Sequence, residues 1–320
     1  MRSFLAAFGK SAFFTALVAI LAFSASAQVS LRDAVDSNND NKADFYIFRP
    51  SNNTWYIMTS AGGIRVQQFG VANTDFLVPG DYDGDGFADI AVWRETDGNW
   101  YRLLSSTQTF NIHTWGQPGD EPIARDYDGD GRTDMAVVRR SNGVMTWYLF
   151  LSMNNGIEVR QFGVSTDFTA PGDYNGDGKF DLAVQRPGAT PTSLSTFYIQ
   201  TTTTFEAITF GQSTDLVVPG DYDGDGKTDL AVVREGATPT SNLTWFYRRS
   251  LDGVLVSRVW GVTGTDLNVQ NDYDGDGKTE YAIWRNTDGK FYIFNEAAGT
   301  IGVVSWGAPN DFPIGSYDTH

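Results

Sequence analysis

The chain has 320 residues, no cysteine, 14% aromatic residues and a formal charge of −16. The lack of cysteine excludes a disulfide framework and a lipid-modified cysteine anchor, and the acidic balance excludes the basic face that nucleic-acid binding needs. An acidic chain this rich in aromatics is not a disordered one, so its acidity needs a local explanation.

Arg2 and Lys10 precede and flank an apolar stretch from residue 12 to 23, and Ala25-Ser26-Ala27 follows. This is the pattern of a secretory signal peptide cleaved after Ala27. The stretch is too short to cross a bilayer and no second one follows, so no membrane span is expected. The mature chain, residues 28–320 with a charge of −18, is expected to be secreted, periplasmic or held at the cell surface, and to form a single domain.

From Asp36 onward the chain repeats itself. DSNNDNKADFYIFRP at Asp36 is followed by DYDGDGFADIAVWRE at Asp81, DYDGDGRTDMAVVRR at Asp126, DYNGDGKFDLAVQRP at Asp173, DYDGDGKTDLAVVRE at Asp221 and DYDGDGKTEYAIWRN at Asp272, at periods of 45 to 51 residues. Each unit reads in a fixed order: a strand ending in PGDY or similar, an acidic loop, an apolar strand ending in Arg, an aromatic strand, and a strand ending in Phe-Gly or Trp-Gly. Four strands per unit and six units predict an all-β fold, a six-bladed β-propeller of four-stranded antiparallel blades, over a β-helix or a linear array. Runs such as Leu230 to Val233 are apolar without alternation, as in strands buried on both faces. Trp55, Trp100, Trp147 and Trp245, with Phe197 and Phe291 at the equivalent places, are predicted to pack between blades.

Counted from its first residue, each loop carries ligand-type side chains at positions 1, 3, 5 and 9. They are Asp36, Asn38, Asp40 and Asp44; Asp81, Asp83, Asp85 and Asp89; Asp126, Asp128, Asp130 and Asp134; Asp173, Asn175, Asp177 and Asp181; Asp221, Asp223, Asp225 and Asp229; and Asp272, Asp274, Asp276 and Glu280. Odd spacing lets a tight loop turn these oxygens about one point. A cage of six or seven oxygens is what Ca²⁺ prefers, whereas Mg²⁺ keeps its waters. Glycine at positions 4 and 6 permits the turn, and Asn39 and Asn41 replace it in the first loop, Asn being the next most tolerant residue for φ > 0. Position 12 lies inside a strand, which excludes an EF-hand. Five full Ca²⁺ sites and a weaker sixth at Asp36 are expected. The loops hold 22 of the 39 acidic residues, which locates most of the charge.

With DxDGDGxxD in the loops and Phe-Gly or Trp-Gly at 69, 115, 162, 210, 260 and 306, the chain resembles the FG-GAP/VCBS repeat family over nearly all of its mature length. That family includes the propeller of integrin α subunits and many secreted bacterial proteins. The resemblance implies Ca²⁺ in the loop between the first and second strands of each blade, held by side chains such as Asp221, Asp223, Asp225 and Asp229 and by the Lys227 carbonyl. It also implies a module for adhesion or recognition of an extracellular protein or glycan. The alternatives are an extracellular enzyme on polysaccharide and a scaffold part of an exported assembly. His113 and His320 are the only histidines, and HExxH and GxSxG are absent, which weighs against catalysis.

GATPTS occurs at 188–193 and again at 236–241, lengthening the second-to-third strand loop in two units only, on the face predicted to lie opposite the acidic loops. Antiparallel pairing places Asp75 opposite Arg94, and likewise Asp120 and Arg139, Asp167 and Arg186, Asp215 and Arg234, Asp266 and Arg285. Arg49 and Asp311 are left over. They complete each other if the C-terminal strand docks inside the first blade, leaving residues 28 to 35 to compete for that place or fray.

Overall fold

The computed structural model describes residues 31–315. They form six four-stranded antiparallel sheets, the blades of a six-bladed β-propeller. Blade 1 has Phe45–Arg49, Thr54–Met58 and Ile64–Gln68, with Phe312–Ile314 as its inner strand. From the axis outward, blade 2 has Asp75–Leu77, Ile90–Arg94, Asn99–Leu103 and Phe110–Thr114, and blade 3 has Glu121–Pro122, Met135–Ser141, Val144–Leu151 and Gly156–Val164. Blade 4 has Phe168–Thr169, Leu182–Arg186, Leu194–Gln200 and Phe205–Gln212. Blade 5 has Leu216–Val217, Leu230–Arg234, Asn242–Arg248 and Leu255–Val262, and blade 6 has Asp266–Asn268, Tyr281–Arg285, Lys290–Asn295 and Thr300–Ser305.

Burial follows position in the blade. The first four residues of each second strand are buried, as their unbroken apolar runs require; third strands alternate, and outermost strands are largely exposed. Six apolar clusters sit one at each blade junction, the last joining Phe45 and Ile47 of blade 1 to Trp284 and Phe291 of blade 6. Trp55, Trp100, Trp147, Trp245, Phe197 and Phe291 are all fully buried between blades. Burying an indole strands its N–H unless a partner is supplied. Trp55, Trp100, Trp147 and Trp245 donate to the carbonyls of Phe69, Trp115, Phe162 and Trp260 at 2.8–3.0 Å, so in these four blades the Phe-Gly or Trp-Gly turn ties the outermost strand to the third.

The five predicted Asp–Arg pairs form at 2.7–2.9 Å, and Arg49 and Asp311 complete the set at 2.8 Å. Tyr46, Ile47 and Phe48 pair with Ile314, Pro313 and Phe312, so the C-terminal strand closes the ring. The same aspartates also accept an amide N–H from the turn just before the inner strand: Val71 donates to Asp75 and Ala308 to Asp311, each at 2.8 Å. Each arginine lies over a ring of its own third strand, from Tyr56 to Tyr292, at 4.5–4.7 Å in blade after blade, a contact the pairing arithmetic alone did not contain.

Two expectations are corrected. Residues 31–35 neither compete for the inner strand nor fray: they form a 3-10 turn whose Val35 is buried beside Ile314, because an apolar side chain at the loop entrance fills the gap between blades; residues 28–30 lie outside the described residues. The inner strands are also shorter than predicted, two or three residues each. Pro79, Pro171 and Pro219 lack the N–H that would continue the ladder, and after them only an isolated bridge such as Gly80 to Asp89 or Gly220 to Asp229 precedes the loop. The signal-peptide segment, residues 1–27, lies outside the described residues.

Candidate metal centres in the acidic loops

Each acidic loop is wound around its first carboxylate. Asp81 accepts the amides of Gly84 at 2.6 Å and Gly86 at 2.8 Å, and the same two contacts recur at Asp126, Asp173, Asp221 and Asp272. Those amides converge only if positions 4 and 6 take φ > 0, as Gly84 (81°) and Gly86 (83°) do. In the first loop Asn39 (55°) and Asn41 (61°) adopt the same geometry, as expected, and the Asn41 amide reaches Asp36 at 2.8 Å.

Position 9 anchors the loop. Asp89 accepts from the amides of Tyr82 and Ser105, Asp134 from those of Tyr127 and Ser152, and Asp229 from those of Tyr222 and Ser250. Ser105, Ser152 and Ser250 belong to the turn between third and fourth strands, and their hydroxyls donate to the position-5 carboxylates Asp85, Asp130 and Asp225 at 2.8–2.9 Å. Ser60 does the same for Asp40 and Asp44, and Thr202 for Asp177. These residues were not singled out in the sequence. A Ser sixteen residues beyond position 9 in the first two units is the one available signal.

In four loops the carboxylate oxygens converge to within 4.8 Å of one another: Asp81, Asp83 and Asp85; Asp126, Asp128 and Asp134; Asp221, Asp223 and Asp225; and Asp272, Asp274, Asp276 and Glu280. Asp89, Asp130 and Asp229 stand outside those groups. In the remaining two loops position 3 is Asn, and the amides of Asn38 and Asn175 donate to Asp40 and Asp177 at 3.0 Å, which relieves part of the repulsion internally.

Burial raises Asp126 and Asp221 to about 6, Asp134, Asp181 and Asp229 to about 7, and Glu280 to about 8; neighbouring carboxylates push the same way, and backbone hydrogen bonds offset part of the rise. Charging these groups together is costly unless a cation lies among them. The Oδ1 atoms of Asp83 and Asn38, both position-3 oxygens, are buried without a hydrogen-bond partner, which a hard cation would supply. The oxygen-only donor set fits Ca²⁺.

The loops are also joined to one another. The position-8 amide of each donates to the position-1 carbonyl of the loop before it: Ala88 to Asp36, Thr133 to Asp81, Phe180 to Asp126, Thr228 to Asp173, Thr279 to Asp221 and Ala43 to Asp272, at 2.6–2.8 Å. The six bonds form a closed circuit around the axis. The close approach explains the glycine of PGDY, since a Cβ on Gly80 would come within 2.4 Å of Thr133. Where Arg125 replaces that glycine, the facing residue is Phe180, over which the guanidinium lies.

The molecule is thus a six-bladed propeller with an acidic hairpin loop leading into the second strand of every blade. Residues 36–92, 126–184 and 173–232, together just over half of the chain, match the model of the FG-GAP-like repeat, and the chain belongs to that family. Among solved structures, TolB from Acinetobacter baumannii is similar at 15% identity and a TM-score of 0.55, over 84% of this chain and 65% of that one. This chain therefore spans less than two thirds of TolB, and the likeness is one of fold. A triple arginine-to-alanine mutant of AofleA from Arthrobotrys oligospora aligns at 10% identity and a TM-score of 0.49, over 89% of this chain and 91% of that one. No curated protein matches.

Proposed function

We propose that the chain is an exported, Ca²⁺-stabilised propeller that acts as a binding module for an extracellular protein or glycan, with residues 1–27 removed and residues 28–320 forming one domain. The observation that carries the metal reading is the convergence of carboxylates in four loops together with the orphaned oxygens of Asp83 and Asn38. The ions would be held by the side chains at positions 1, 3, 5 and 9 of each loop and by a position-7 carbonyl such as that of Lys227. Bound there, Ca²⁺ neutralises charge and fixes loop geometry. Binding is favoured over catalysis by the thin acid–base inventory: His113 packs tilted against Phe150, ring centroids 4.4 Å apart, and the clustered carboxylates are committed to the loops. No helix among the described residues is long and apolar enough to cross a membrane.

Chelator-stripped protein titrated with Ca²⁺ in a calorimeter should take up at least four ions per chain, and Asp221→Asn combined with Asp223→Asn should remove one of them. Extracellular Ca²⁺ modules bind at roughly 10⁻⁴ to 10⁻³ M, which sets the concentration range. No uptake by the wild-type chain would overturn the metal reading. Pull-downs on immobilised glycans and cell-surface extracts, with and without EDTA, test the binding role.

A further inference from the structure

Along the inner strands of blades 2 to 5, from Asp120 and Thr214 at their starts to Pro79, Arg125 and Pro171 near the acidic loops, runs a cavity of about 540 Å³, within the range of small-ligand sites. Most of its wall is apolar, from Phe76, Phe168, Leu216, Pro79 and Pro171. Six copies of one unit allow an internal comparison, because residues that serve the fold recur while a binding site shows as a departure. The residue after the paired aspartate is Phe76, Phe168, Leu216, Leu267 or Phe312 in five blades, and Glu121 in blade 3. The residue after the paired arginine is Pro50, Glu95, Pro187, Glu235 or Asn286 in five blades, and Arg140 in blade 3.

These two departures meet. Glu121 stands opposite Val138, so Arg140 is its diagonal cross-strand neighbour. Arg140 Nη1 donates to Glu121 Oε2, its Nη2 to the Asp167 carbonyl at 3.1 Å, and Thr169 Oγ1 donates to Glu121 Oε1 at 2.7 Å. The pair is therefore oriented by two blades, while its side chains remain 29% and 33% exposed in the cavity wall. The first GATPTS loop stands beside the same cavity: Ser213 and Thr214, which line it, donate to the carbonyls of Ser193 and Pro191.

We infer that this axial cavity is the ligand site and that it takes a neutral pyranose, the end of an oligosaccharide, with the ring's C–H face on the apolar wall and adjacent hydroxyls on Glu121 and Arg140. A fixed acceptor beside a fixed donor suits hydroxyls, which do both. An anionic ligand would meet Glu121 and a mature chain of charge −18, and a cationic one would meet Arg140 and Arg125, which also lines the cavity. The proposal rests on the binding-module reading and narrows it.

The test is a binding screen of the Ca²⁺-loaded chain on neutral oligosaccharides of glucose, galactose, mannose and N-acetylglucosamine, with uronic-acid and sialylated glycans as comparators. Wild type should prefer the neutral set. Glu121→Gln combined with Arg140→Met, and separately Phe168→Ala, should weaken binding roughly tenfold or more, the scale of a lost hydrogen bond to a charged group, with Ca²⁺-dependent melting unchanged. Thr169→Val, which only releases Glu121, is a milder variant that guards against misfolding and should weaken binding less. Glycan binding that persists in the folded double variant would overturn the site while leaving the module reading intact. A preference for acidic glycans, or capture of protein alone, would overturn the ligand class.

Discussion

Removal of Ca²⁺ by EDTA should lower the melting temperature of this protein by more than 10 °C. At tenfold excess over Kd each occupied site adds about 1.4 kcal/mol to the folded state, and six add about 8, comparable to the whole stability margin of a folded domain. A domain of this size shifts by about 2 °C per kcal/mol. The loss should fall on the loops first: without an ion, the carboxylates of Asp272, Asp274, Asp276 and Glu280 face each other inside 4.8 Å. Restoring Ca²⁺ should recover the transition, and Mg²⁺ at the same concentration should not, since it resists an all-protein cage. An unchanged melting curve in EDTA would remove the structural role assigned to the metal.

Truncation after Gly307 should destabilise the whole ring rather than its last blade. It removes the inner strand of blade 1, exposes the edge of Phe45–Arg49, and takes away Ile314, which is 6% exposed and worth about 2 kcal/mol of burial. It also strips the bidentate partner from Arg49, whose guanidinium is part-exposed, a loss of about 1.5 kcal/mol for hydrogen bonds to a charged group. A sharper comparison sets Asp311→Asn against Asp75→Asn. Both aspartates hold an arginine through two bonds at 2.7–2.9 Å and accept an amide from the preceding turn, so thermal melting should drop equally in the two variants. A silent Asp311→Asn beside a costly Asp75→Asn would mean that the terminal strand contributes nothing to closure.

Much of this architecture can be read in the chain because charge marks its register. An Asp stands at or just before the start of each inner strand and an Arg near the end of each second strand, so the hairpin pairing follows from index arithmetic, and the two unpaired members, Arg49 and Asp311, point to the closure. The loop geometry is legible too, down to the positive φ of Asn39 and Asn41. Other features depend on distances that sequence does not carry. The seryl anchors of position 9 stand sixteen residues away at Ser60 and Ser105 but eighteen at Ser152 and twenty-one at Ser250, because the second and third strands and the loops between them differ in length. Glu121 and Arg140 each look like an ordinary surface charge, and their meeting appears only once the hairpin of blade 3 is drawn. Val35 reads as part of a spare strand until the space beside Ile314 is known.

The hydrogen bonds from each loop to the one before it have a further consequence, which follows from their forming a cycle. In a linear array of repeats the terminal units have one neighbour and are the first to open, so stability is graded from the ends inward. Here Ala43 reaches back to Asp272 just as Thr133 reaches to Asp81, and every loop is both donor and acceptor. Order of synthesis therefore leaves no weakest place. The loop most ready to open is chosen by its own residues, and Asn38 and Asn175, with one charge fewer for an ion to hold, mark two points half a turn apart on the ring, in blades 1 and 4.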